Sequence, residues 1–159
     1  MKKNYYCAII CFIAITIVVL CGILFFVFNH NSQNRKVFIN HMYFRLVDID
    51  KDLELFENGE LENLNRVEEK FSELDLMCDM QSVYTNNSFY YFPGQFRKIA
   101  ENMQSDAYSA DELKHLRENI QATIEELSAD SGKGENDKLT YRQVSEVLKN
   151  LFLKLEEDK

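Results

Sequence analysis

The chain has 159 residues, of which 18 are basic and 26 are acidic, and its net charge at pH 7 is −8. Lys2 and Lys3 are the only charged residues before position 35, so the rest of the chain carries 16 basic and 26 acidic residues. A surface with that excess of acid repels phosphate backbones, which excludes nucleic acid as an expected partner. The length leaves room for one small domain beside a membrane segment.

Residues 5–28 have the composition of a membrane-spanning helix, because no Lys, Arg, Asp or Glu occurs anywhere in residues 4–34. As a helix, this stretch is about 36 Å long, which is enough to cross a hydrocarbon core of about 30 Å. It is too long for the apolar core of a cleavable signal peptide, and no small-x-small cleavage motif follows it. A lipoprotein signal at Cys21 is disfavoured because the large residue Leu20 precedes that cysteine. The sequence therefore predicts an uncleaved signal-anchor embedded in a lipid bilayer.

The two lysines directly before the apolar segment favour a cytoplasmic N-terminus, although basic residues also follow the segment. We therefore expect a single-pass protein of the cell membrane. Its expected parts are a short cytoplasmic N-terminus at 1–4, a transmembrane helix at 5–28 and an acidic extracytoplasmic helical domain at 29–159.

Beyond the anchor, the pattern predicts an all-α fold: an antiparallel bundle of four main helices plus a short one. Apolar residues recur every three or four positions in each predicted helix. The predicted helices cover about 33–57, 60–81, 93–103 and 109–127, and a last one follows position 137. No strong helix breaker separates the anchor from the first of them, so the two can form one continuous helix.

Turn-forming and capping residues mark the ends of these helices. Gly59 ends the first helix of the domain, and the composition of residues 128–137 is typical of a surface loop. Ser109 and Glu112 form a capping-box pattern at the start of a helix, and Thr140 and Gln143 form the same pattern as a candidate internal cap of the last helix.

Asp48, Asp50 and Asp52 resemble the start of a calcium-binding loop, in which alternating carboxylates converge on one ion. Gly59 stands where such a loop has its last glutamate. Residues two apart on a helix also point about 200° away from each other, so the three side chains cannot share one ion. We interpret them as a solvated helix face.

Motifs of metal sites and enzymes are absent from the sequence. The three histidines form no HxxxH or HExxH pattern, and there is no GxSxG or phosphate-binding glycine loop. We expect no metal, no cofactor and no enzymatic activity. Cys78 lies on an apolar stripe and is expected to pack in the core. If it were exposed in an oxidising compartment, an intermolecular disulfide would be the alternative.

The irregular segment 82–95 combines turn formers with five aromatic residues. These aromatics either cap the core of the bundle or present a tyrosine-rich surface to a partner. The candidate partner-contact residues are Tyr84, Phe89, Tyr90, Tyr91 and Phe92.

An anchor and a bundle without recognisable chemistry favour a membrane-anchored interaction module, which binds other membrane or envelope proteins or self-associates. A first alternative is a sensor-like domain that holds a small ligand between its helices and signals through a partner. A second alternative is an enzyme whose site is assembled from scattered residues.

Overall fold

A computed structural model describes residues 2–84, 94–105, 108–129 and 139–157; its side chains are described for 12–81, 94–105, 108–128 and 139–155. Over these ranges the chain forms five α-helices and no β-strand. The helices are α1 (Lys2–Glu57), α2 (Asn65–Tyr84), α3 (Gln95–Gln104), α4 (Ala110–Ala129) and α5 (Tyr141–Glu157). The predicted all-α bundle, with three longer helices and a short one after α1, is confirmed.

Helix α1 contains both the predicted anchor and the first predicted helix of the domain, since it runs unbroken for 56 residues. The chain nevertheless divides into two compact units, Met1–Arg35 and Lys36–Lys159. The first unit is the apolar segment with its flanks. The second unit contains the hydrophobic core described below.

The first unit exposes its large apolar side chains, from Phe12, which is 73% exposed, to Phe28, which is 77% exposed. Within the part of the chain that the structure describes, one helix is long and apolar enough to cross a membrane. None of its most apolar stretch is buried. A core helix of a soluble protein would bury such residues against other protein.

The second unit has a hydrophobic core to which all five helices contribute. Phe96 of α3 lies at its centre: its ring stacks on that of Phe71 of α2, with 6.0 Å between centroids, and meets Phe152 of α5 edge-on at 4.9 Å. The short helix α3 therefore connects α2 with α5. The side chain of Cys78 is fully buried in the same core, as its position on an apolar stripe predicted.

Helix α1 ends at the predicted glycine in a Schellman motif. Gly59 has a φ of 74°, in the left-handed region that favours glycine. Its N–H donates to the carbonyl of Phe56 at 3.0 Å, and the N–H of Glu60 donates to the carbonyl of Leu55 at 2.8 Å. These two bonds satisfy carbonyls that the helix end leaves without a partner.

Helix α2 begins at Asn65, five residues later than its apolar spacing predicted. The side chain of Asn63 accepts a hydrogen bond from the N–H of Asn65 at 3.2 Å, which satisfies a donor at the helix start. Leu64 still packs against the core from just before the helix. Its apolar character was correctly interpreted, but the spacing alone could not show that it precedes the helix.

Both predicted capping boxes are present. At α4, Oε2 of Glu112 accepts hydrogen bonds from the backbone N–H and the hydroxyl of Ser109, each at 2.7 Å. At α5, Oε1 of Gln143 accepts from the backbone N–H of Thr140 at 2.9 Å and from its hydroxyl at 2.8 Å. Thr140 therefore lies immediately before α5 rather than inside it.

Candidate functional site

The predicted aromatic contact site lies mostly outside the described residues, and this applies to Phe89, Tyr90, Tyr91 and Phe92. Tyr84 is the last residue of α2, but its side chain is not described. Whether these aromatics cap the core or face a partner stays a prediction.

Two carboxylates of the aspartate triplet, those of Asp50 and Asp52, lie at contacts between helices, while Asp48 is exposed. The prediction of a solvated face was wrong for Asp52. Asp52 is only 3% exposed. Its Oδ2 is 2.6 Å from Nζ of Lys70, and its Oδ1 is 3.3 Å from a guanidinium nitrogen of Arg66. The packing of α1 against α2 brings these two cations to the carboxylate, so the charge is buried with its partners.

Asp50 is paired as well, through Arg117 of α4. The Nε of Arg117 donates to Oδ1 of Asp50 at 3.0 Å, and Gln121 donates to the same oxygen at 3.0 Å. The guanidinium also reaches the carboxylates of Glu54 and Glu57. Burial lowers the pKa of Arg117 while hydrogen bonds to Glu57 and Asp50 raise it, and the net direction is upward.

A further ion pair joins α2 to α3, where Arg97 donates to Oδ2 of the buried Asp75 at 3.0 Å. These charged contacts join α1 to α2 and α4, and α2 to α3. Among the described residues, no group of three or more His, Cys, Asp and Glu could hold a metal ion. The ion pairs link helices of the domain. A cavity that could take a ligand lies elsewhere in the same domain.

A cavity of about 120 Å³ lies between α3, α4 and α5. Its lining residues fall on one face of each helix, because they are three or four positions apart. The apolar lining residues are Ile99, Leu116, Phe152 and Leu155, and the polar ones are Gln95, Lys98, Asn102, Tyr108, Glu112 and His115.

Tyr108 enters this cavity from the link between α3 and α4, directly before the capping box of α4. Burial raises the pKa of its phenol, a hydrogen bond with the side chain of Asn102 lowers it, and the charge of Glu112 raises it; the net direction is upward. The phenol is therefore protonated at neutral pH and has a proton to donate.

Some of the polar groups around the cavity already have hydrogen-bond or ion-pair partners, and others do not. Glu112 accepts the two capping hydrogen bonds from Ser109 described above. His115 lies 3.5 Å from a carboxylate oxygen of Glu118. The side chains of Gln95 and Lys98 have no hydrogen-bond or ion-pair partner among the described residues. The cavity thus combines an apolar floor with polar groups at its edge, of which Lys98 is positively charged.

Sequence reasoning missed this cavity, because it depends on which helix faces meet. A local signal was present in α3, where Gln95, Lys98 and Asn102 form a polar stripe beside the buried Ile99. That stripe alone is indistinguishable from an ordinary solvated face.

No family model, curated protein or solved structure matches this chain.

Proposed function

We propose that this protein is a single-pass membrane-anchored helical module that binds other membrane or envelope proteins. The observation that carries the proposal is the exposure of the apolar part of α1. Large aliphatic and aromatic side chains are uncovered along the whole stretch from Phe12 to Phe28. Water is a poor environment for such a surface, and lipid is the environment that fits a helix of this length.

The orientation in this proposal follows from Lys2 and Lys3, which directly precede the apolar segment. Basic residues next to a membrane helix favour the cytoplasmic side. The N-terminus is then cytoplasmic, and the second unit functions outside the cytoplasm, where its acidic excess keeps it soluble.

A surface for a protein partner is supported by exposed apolar residues on α1 and α2 of the second unit. Val37 and Phe44 lie seven positions apart on α1, and Leu76 and Met80 lie four apart on α2, so each pair shares a helix face. Exposed aromatic residues and methionine are typical of protein interfaces. Next to them, Arg45 of α1 forms an ion pair with Glu73 of α2.

The anchor is tested by alkaline extraction of membranes from cells that express the full chain. The protein is expected to stay with the lipid pellet after this treatment, which strips peripheral proteins. Recovery of the full-length chain in the aqueous fraction would contradict the anchor.

The partner surface is tested by placing a photoreactive amino acid at Phe44 or at Leu76 in living cells, with Lys114 as a matched exposed control position on α4. A discrete adduct is expected from Phe44 and Leu76 and not from Lys114. The double change Phe44→Glu and Leu76→Glu should abolish co-purification of the crosslinked protein while the helical content stays the same. Equal adducts at all three positions would show random collision and refute the proposed surface.

A further inference from the structure

We propose that the cavity between α3, α4 and α5 is a binding site for a small aromatic monocarboxylate. A sensor-like domain requires a ligand site of this kind. The proposal of this site does not depend on the membrane anchoring or the protein binding proposed above.

The size of the cavity selects a small ligand. Its volume is about 120 Å³, close to the roughly 150 Å³ of an apolar cavity that accepts one benzene ring. Pockets for drug-sized molecules are larger, about 300–1,000 Å³. A single ring fits this volume if its substituent lies at the polar edge, whereas a nucleotide or a lipid chain exceeds it.

The floor of the cavity suits an aromatic ring. Ile99, Leu116 and Phe152 are buried core residues, and Leu155 is partly buried beside them. Because Phe152 is among the lining residues, a bound ring can form an aromatic pair with it, and such pairs are stabilised beyond the area they bury.

The edge of the cavity suits a negative group. Lys98 carries a positive charge and Gln95 a side-chain amide, and neither has a partner among the residues described. A carboxylate can accept hydrogen bonds from both, and the bond from the ammonium group is charge-assisted.

Glu112 is the acidic residue of the lining, and its position reduces the electrostatic repulsion between its carboxylate and a bound anion. Its Oε2 accepts two hydrogen bonds from Ser109 at the start of α4, where the helix dipole stabilises negative charge. Tyr108 adds no negative charge, because its raised pKa keeps the phenol protonated. Lys98 is therefore the charged group of the lining that is left to pair with a ligand, and a carboxylate complements it.

The test uses the full chain in nanodiscs of uncharged lipid and two probes of similar shape and opposite charge, 4-fluorobenzoate and 4-fluorobenzylamine. Fluorine NMR reports binding as broadening of the probe signal, and empty nanodiscs correct for partition into lipid. Saturable binding of the acid is expected, with the amine at least about fivefold weaker. Absence of saturable acid binding, or equal binding of the amine, would overturn the proposal.

Two variants locate the site. Leu155→Trp fills the cavity and should abolish binding of the acid. Lys98→Gln should weaken it about fivefold, as expected for an exposed ion pair, while the amine is not weakened. Lys149→Gln on the exposed surface of α5 is the matched control and should bind like the parent chain. Lys98 is exposed and its side chain has no partner among the described residues, so Lys98→Gln is expected to fold even if Leu155→Trp does not. Unchanged binding of the acid to Lys98→Gln would refute the carboxylate contact.

Discussion

Arg117 of α4 and Asp50 of α1 form a hydrogen-bonded ion pair with 3.0 Å between Nε and Oδ1, although they are 67 positions apart in the chain. The Arg117 side chain is only 19% exposed and also reaches Glu54 and Glu57, which lie one and two turns further along α1. One planar cation thus joins the end of α1 to the middle of α4, and its energetic contribution can be measured directly.

Arg117→Met should lower the free energy of unfolding by about 1–2 kcal/mol, because partly buried hydrogen bonds to charged groups are lost and Asp50 keeps only Gln121. The measurement is a urea titration of the full chain in nonionic detergent, followed by circular dichroism. The control is Arg142→Met. Arg142 is 85% exposed, and among the described residues it pairs only with Glu146 of its own helix, so a loss below about 0.5 kcal/mol is expected. Equal losses in the two variants would show that the contact between α1 and α4 contributes nothing.

Lys70→Met should destabilise the domain by about 2 kcal/mol, because it leaves the buried carboxylate of Asp52 with Arg66 as its remaining cation. The same urea titration measures this loss. Adding Asp52→Asn should restore part of it, since the uncompensated charge is then gone. Lys51→Met is the matched control on the exposed face of α1 and should change stability by less than about 0.5 kcal/mol. If adding Asp52→Asn to Lys70→Met lowers the free energy of unfolding further, the unpaired charge of Asp52 is not the cause of the loss.

The thiol of Cys78 should resist a water-soluble maleimide polymer in the folded chain and react only after denaturation. Burial, together with the nearby charge of Asp75, raises the pKa of this thiol, so the reactive thiolate is scarce at neutral pH. Gel shift after labelling measures the adduct, in a chain in which Cys7, Cys11 and Cys21 are replaced by alanine so that Cys78 is the remaining thiol. An Ala110→Cys variant, with the new thiol at an exposed position, serves as the positive control and should gain one adduct without denaturant. Rapid labelling of Cys78 in the folded chain would contradict its burial.

The same raised pKa predicts how stability depends on alkaline pH. The unfolded thiol loses its proton near its ordinary pKa of about 8.5, while the folded thiol keeps it. The folded state then binds more protons than the unfolded state, so the Cys78 contribution is fully present below that pKa and falls as pH rises above it, by about 1.4 kcal/mol per pH unit. Urea titrations at pH 7 and pH 10 should show a smaller alkaline loss in Cys78→Ala than in the parent chain. An identical loss would exclude this linkage.

Ser109→Ala should cost about 1 kcal/mol, because it removes the hydroxyl that donates to Glu112 and accepts from the Glu112 N–H. Thermal or urea unfolding measures the cost. Gln104→Ala, at an exposed position near the end of α3, is the control and should be close to neutral. If Ser109→Ala proves as mild as the control, the capping box does not stabilise α4.

The features that could be predicted from the amino-acid sequence are local. The all-α class, the glycine end at Gly59 and the capping box of Ser109 with Glu112 follow from residues a few positions apart, because helical periodicity and capping are short-range interactions. The same reasoning allowed a continuous α1, and the structure shows it. The core position of Cys78 follows from the same periodicity. The aromatic contact site is also a local prediction, and it remains one.

Which helix faces meet could not be predicted from the sequence and is known from the packing of the helices. Asp52 is a buried ion-paired residue rather than a solvated one because packing brings Lys70 of α2 to it across a gap of 18 positions. The cavity that includes Lys98 and Tyr108 likewise exists only where α3, α4 and α5 come together. Periodicity identifies the face that a helix buries. It does not show which other helix packs against that face, because that depends on contacts between residues far apart in the chain.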